Sequence, residues 1–105
     1  MPEALDENQA IATYAQALSH PVRLAIIQML AEQSVCYHGD MAAVLPVAPS
    51  TLSQHLRVLK DAGIIKGEID PPRVRYCLNT AKIIEIKELF DIFLESALRG
   101  GVENC

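Results

Sequence analysis

Four polar side chains near the middle of this 105-residue sequence stand at a spacing that can do recognition chemistry: Ser50, Ser53, Gln54 and Arg57, at i, i+3, i+4 and i+7. On a helix that spacing gathers them on one stripe, while Leu52, Leu56 and Leu59 fall on the opposite one. Hydroxyls and an amide donate to and accept from base edges, and a guanidinium holds phosphate. One face then serves a core and the other a groove of nucleic acid. Any solvated helix face would also carry such residues, so the surrounding segment has to decide.

That segment, MAAVLPVAPSTLSQHLRVLKDAGIIKG at residues 41–67, reads as a short helix, a tight turn and a second helix with a glycine stop. Pro46-Val47-Ala48 is the turn, Pro49 opens the second helix, and Ala62-Gly63 closes it. The order is that of a helix-turn-helix. Behind it, Ile64-Ile65-Lys66-Gly67-Glu68-Ile69 and Arg73-Val74-Arg75-Tyr76-Cys77-Leu78 are β-rich, with Asp70-Pro71-Pro72 between them. They form a β-hairpin wing.

The rest of the chain supplies the support. Asp6-Glu7-Asn8 starts and caps a first helix ending near Leu18, and Ser19-His20-Pro21 breaks it. A second helix over 22–32 points Leu24, Ile27, Met29 and Leu30 inward and leaves Arg23 for an ion pair or a phosphate. Ser34-Val35-Cys36-Tyr37 reads as a brief strand, and a third helix runs from His38 or Gly39 to Leu45. The last helix, over 80–98, is apolar on two sides, from Ile83 and Ile84 through Phe90, Phe93 and Leu94 to Leu98. It needs two partners, its own core and a second copy of the chain. The expected architecture is mainly α with a small β-hairpin wing, in the order α-α-β-α-α-β-β-α. It is one winged helix-turn-helix domain over residues 1–105, with the helix-turn-helix at 39–62, the wing at 64–78 and flanking helices at 7–18 and 80–98.

The formal charge of −4 argues against a nucleic-acid partner until its distribution is considered. Residues 49–75 hold Arg57, Lys60, Lys66, Arg73 and Arg75 against Asp61, Glu68 and Asp70, and only this stretch is net positive. Half the residues are hydrophobic, much for so short a chain to cover alone. The sequence has no apolar run long enough to span a bilayer, and MPEALDENQ lacks the pattern of a signal peptide. A soluble, cytoplasmic chain with no membrane partner is expected. Three cysteines without close repeats fit free thiols better than a disulfide framework. His20, His38 and His55 are scattered, and no phosphate loop, nucleophile elbow or carboxylate pair can be drawn, so an enzyme is not expected.

The stretches LSHPVRLAIIQML and STLSQHLRVLKDAGII, with His20-Pro21, Arg23, Ser53-Gln54-His55-Leu56, Leu59 and Ala62-Gly63, resemble the ArsR/SmtB family of winged-helix repressors over residues 12–93. The resemblance implies a homodimer paired through its first and last helices. That dimer would bind a two-fold double-stranded DNA operator and release it when an effector binds, often a thiophilic metal or metalloid ion. By position, Ser50, Ser53 and Gln54 would face bases, Thr51 and Arg57 phosphates, and Arg73 and Arg75 the flanking groove. His55 lies at the edge of the two faces, open to a structural role or a phosphate contact. Where relatives carry Cys-x-Cys at the start of the third helix, this chain has Cys36-Tyr37-His38, and its last helix holds no histidine for a zinc-like site. Winged helices pair the short strand with the outer wing strand. That pairing would bring Cys36 and Cys77 together, either as small buried residues or as a thiol effector site completed by His38 or Cys105, or closed as a switching disulfide. The alternatives are a winged-helix protein-interaction module and a repressor without a metal effector.

Overall fold

The computed structural model describes residues 2–32, 36–38, 41–68 and 75–100. In chain order these are α1 (Pro2–Ala17), α2 (Pro21–Ala31), β1 (Tyr37–His38), a single 3₁₀ turn (Met41–Ala43), α3 (Pro49–Asp61), β2 (Ile65–Glu68), β3 (Arg75–Leu78) and α4 (Thr80–Gly100). The strands form one antiparallel sheet in the order β1-β3-β2. Tyr37 faces Tyr76 across β1 and β3, and Gly67 faces Tyr76 across β2 and β3. The mainly helical winged architecture is as expected from the sequence.

Local chemistry sets the boundaries. Pro21 occupies the first turn of α2, and the His20 ring caps it, Nδ1 accepting from the Val22 N–H at 3.1 Å. The end of α3 is a Schellman closure: Gly63, at φ 79°, donates to the Lys60 carbonyl at 2.9 Å, and Ile64 donates to that of Leu59 at 3.0 Å. Leu59 and Ile64, both fully buried, seal the same corner. Asn79 binds this corner to α4. Its Nδ2 donates to the Gly63 carbonyl at 3.0 Å, and its Oδ1 accepts from the Lys82 N–H at 3.4 Å in the first turn of α4.

Three expectations change. The first helix starts at Pro2, so Asp6 lies inside it rather than capping it; nothing in residues 2–6 stops helix extension. The expected third helix is only the 3₁₀ turn, where Val44 and Leu45 both donate to the Met41 carbonyl. Pro46 has no N–H to carry the helix on, and such short runs close as 3₁₀ turns. In α2 the inward stripe is Ile26 and Leu30, and Leu24 is 44 % exposed, because i and i+4 share a face and Leu24 is turned away from it. The wing tip, including Arg73, lies outside the described residues, as do residues 34 and 35 of the expected first strand and Cys105.

The core gathers Ile26 and Leu30 of α2, Leu52, Leu56 and Leu59 of α3, Ile65 and Tyr76 of the sheet, and Ile86 of α4 around Met41. α1 joins it through Ala17 and packs along α4. No helix of the described residues is long and apolar enough to cross a membrane.

Candidate nucleic-acid interface

The site is built on α3, whose amphipathic pattern divides it cleanly. Leu52, Leu56 and Leu59 are buried against α2 and the sheet, while Ser50, Thr51, Ser53, Gln54 and Arg57 are exposed. Five polar side chains thus share one surface whose backbone is held rigid by the core on its other side.

His55 parts from this set. It is only 8 % exposed, and its Nδ1 lies 3.0 Å from Arg23 Nη1. A guanidinium only donates, so Nδ1 accepts and the ring proton resides on Nε2. The His20 ring packs on it, centroids 4.2 Å apart. Burial, with the adjacent His20 and Arg23, pushes the His55 pKa below its ordinary value and keeps the ring neutral. Its surroundings are those of a support under α3, and they withdraw the ring from the surface that a phosphate would reach.

Arg23 is held by the last turn of α1 and by His55. Its Nε donates to the Ala17 carbonyl at 2.7 Å, and its Nη2 donates to the Gln16 carbonyl at 3.0 Å and reaches Ser19 Oγ at 3.5 Å. Those carbonyls belong to the last turn of α1, and that of Gln16 also accepts from the Ser19 N–H at 3.1 Å and the Ser19 hydroxyl at 2.7 Å. One guanidinium therefore caps α1, rides on α2 and holds His55 of α3. Two of its partners are backbone carbonyls and one is a ring 32 positions away, and neither kind leaves a local sequence signal.

In the wing, Arg75 is exposed on β3 and its Nη2 lies 3.9 Å from Cys36 Sγ. Cys36 and Cys77 form a disulfide with Cα atoms 4.5 Å apart, correcting the expectation of free thiols. The register explains it. With Tyr37 opposite Tyr76, the next pair outward is Cys36 and Cys77, at the spacing of a non-hydrogen-bonded antiparallel pair. Sulfurs bonded to each other are not thiolate ligands, so the donor set in this state does not fit a soft metal or metalloid ion. Among the described residues no three His, Cys, Asp or Glu side chains gather as a cation site. The His38 side chain and Cys105, offered as further ligands, lie outside what is described. Gly67, at φ 124°, lets β2 approach β3 so closely that a Cβ there would run into the Arg75 carbonyl.

Where α1 meets α4, Tyr14 donates to Glu85 at 2.6 Å, and Lys82 donates to both at 3.0 and 2.9 Å. These bonds raise the Lys82 pKa and lower that of Glu85, so both stay charged. Farther along α4, Ile92 and Leu98 are 62 % and 73 % exposed, with Phe93 and Leu94 also open. Ile92 and Phe93 line a groove of about 260 Å³ against Ile11 of α1.

An amphipathic helix with a polar outer face, seated on the other helices and followed by a two-stranded hairpin, defines a winged helix-turn-helix protein. Comparison with known proteins agrees and narrows the class. A family model described as a helix-turn-helix domain matches residues 18–68. The chain is 32 % identical over 94 residues to the transcriptional repressor SmtB homolog of Synechocystis sp., covering 89 % of this chain and 70 % of that one. It is 41 % identical over 63 residues to the HTH-type transcriptional repressor SmtB of Mycobacterium tuberculosis, covering 60 % of this chain. That match spans under half, 46 %, of the mycobacterial protein. An ArsR-like transcriptional regulator from Rhodococcus sp. RHA1 has the same fold, with a TM-score of 0.68 over 88 % of this chain and 87 % of its own, at 23 % identity. The chain belongs to the ArsR/SmtB family of helix-turn-helix transcriptional regulators.

Proposed function

We propose that this protein is a sequence-specific DNA-binding transcriptional repressor that works as a homodimer on a two-fold operator. The observation that carries the reading is the division of α3: Ser50, Thr51, Ser53, Gln54 and Arg57 exposed together over a buried leucine stripe. Ser50, Ser53 and Gln54 meet base edges in the major groove, Thr51 and Arg57 meet phosphates, and Arg75 with Arg73 meets the flanking groove. The unpartnered apolar stretch of α4 from Ile92 to Leu98, beside α1, supports dimerisation. A dimer places two copies of α3 about 34 Å apart, one turn of DNA. The relatives' description as transcriptional repressors supports the same role. Nothing in the described site gathers a nucleophile with a base, and we read the chain as a binding protein rather than an enzyme. Cys36 and Cys77 are the proposed effector site, acting through their sulfurs.

The test is binding to DNA upstream of the protein's own coding sequence, followed by mobility shift and by footprinting. A protected two-fold sequence is the expected result. Binding no tighter than to random DNA of equal length, with that of every operator selected from a random pool equally weak, would overturn the reading.

A further inference from the structure

Cys36 and Cys77 are not equivalent. Cys77, on β3, is 8 % exposed, whereas Cys36 is half-buried at the outer edge of the sheet, with the Arg75 guanidinium 3.9 Å from its sulfur. A cation beside an accessible sulfur stabilises the thiolate, the form that attacks disulfides; a buried thiol in apolar surroundings is inert. The pair therefore has one sulfur equipped to meet a reagent and one placed to resolve the product. We propose that Cys36 and Cys77 form a reversible thiol–disulfide exchange site, with Cys36 as the attacking thiolate, Cys77 as the resolving thiol and a low-molecular-weight disulfide as the oxidising substrate.

The exchange balances in two steps. Cys36 thiolate attacks one sulfur of the small disulfide, forming a mixed disulfide at Cys36 and expelling one small thiolate. Cys77 gives its proton to solvent and attacks the Cys36 sulfur, closing the Cys36–Cys77 bond and expelling the second thiolate. Two electrons pass from the protein thiols to the small disulfide, which leaves as two thiols. Excess small thiol runs the same steps backward.

The site's position gives the exchange a consequence, which rests on the DNA-binding reading above. β1 is two residues long and leads into the 3₁₀ turn and α3, so the disulfide cross-links the entry to the helix-turn-helix with strand β3 of the wing. Among the described residues, reduction leaves β1 paired with β3 at Tyr37 and His38. It also gives Arg75 a thiolate partner that competes with phosphate. The oxidised protein then binds its operator more tightly than the reduced one.

The chemistry is tested without DNA, on the full chain carrying Cys105→Ser. Reduced protein is treated with glutathione disulfide, trapped with an alkylating agent and weighed intact. The parent should regain the Cys36–Cys77 bond with no lasting adduct and release two glutathiones. Cys77→Ser should accumulate one glutathionyl group at Cys36, while Cys36→Ser should react at least about tenfold more slowly, as a buried thiol does. Arg75→Gln in the Cys77→Ser protein should move the pH midpoint of the Cys36 reaction upward. Equal rates at the two cysteines, a parent that never re-forms the bond, or an unmoved midpoint would overturn the assignment. Operator affinity of the two redox states is measured separately, and reduction should weaken it at least about fivefold, the low end of allosteric coupling. Equal affinity with intact exchange overturns the link to the operator alone. Absence of operator binding in both states overturns the DNA-binding reading and leaves the exchange standing.

Discussion

Arg23→Met removes the guanidinium that joins three helices while keeping most of the apolar stem. The parent side chain makes bonds of 2.7 and 3.0 Å to the last carbonyls of α1 and one of 3.0 Å to His55. A hydrogen bond from a charged donor contributes about 1.5–3 kcal/mol net, and a buried acceptor left unpaired costs about 1–3 kcal/mol. The Gln16 and Ala17 carbonyls lie at a helix end, where water can replace part of what they lose, whereas buried His55 has no such substitute. The expected destabilisation is therefore about 2–4 kcal/mol, below the simple sum, in a domain whose whole stability is of order 5–15 kcal/mol. Urea unfolding followed by far-ultraviolet circular dichroism measures it, with parent and variant at equal protein concentration because dimerisation feeds into apparent stability. A double-mutant cycle with His55→Leu isolates the bond between the two side chains, and a coupling of about 1–2 kcal/mol is expected. A loss under about 0.5 kcal/mol for Arg23→Met, or an additive cycle, would refute the idea that this guanidinium seats α3.

Stability should depend on pH through the same cluster: with the His55 pKa held below its ordinary 6.5, the unfolded chain takes up that proton first. Its contribution is whole above about pH 6.5 and is lost as pH falls through the lower folded-state value, a slope that His55→Leu should flatten in urea titrations. Gly67→Ala should cost about 1–3 kcal/mol, since φ 124° and the nearby Arg75 carbonyl both exclude a side chain, and thermal unfolding will read the loss. Asn79→Ala removes the cap of α4 and its tie to Gly63, for a loss of about 1–2 kcal/mol in the same assay. Ile92→Asp puts a charge on the open face of α4 and should give a monomer by light scattering at micromolar concentration without unfolding the chain.

How far these features could be read in advance varies with their physical origin. The leucine stripe of α3 and its Gly63 stop are legible because a 3.6-residue period and a left-handed C-cap both write themselves locally into the sequence. In α2, Leu24, Ala25, Ile26 and Ile27 are all apolar, so composition does not say which one faces the core, and the structure selects Ile26 over Leu24. The 3₁₀ turn at Met41 is not distinguishable from a short helix in the sequence, because a segment so short carries no resolvable period. Pairing of Cys36 with Cys77 follows from strand register, whereas their bond depends on oxidation, which composition does not encode. The partners of Arg23 and Asn79 are backbone carbonyls or distant residues, which leave no local pattern, and the structural role left open for His55 is decided by burial, a tertiary fact.

The central claim is that the exposed face of α3 reads base pairs, and it is tested most directly by fluorescence anisotropy of Gln54→Ala and Arg57→Ala on operator and random DNA across a salt series. Gln54→Ala should lose about 1–3 kcal/mol of discrimination between the two DNAs with an unchanged salt slope. Arg57→Ala should weaken both and lower the slope by about one. Equal losses on operator and random DNA for Gln54→Ala, or no loss for either variant, would contradict the account.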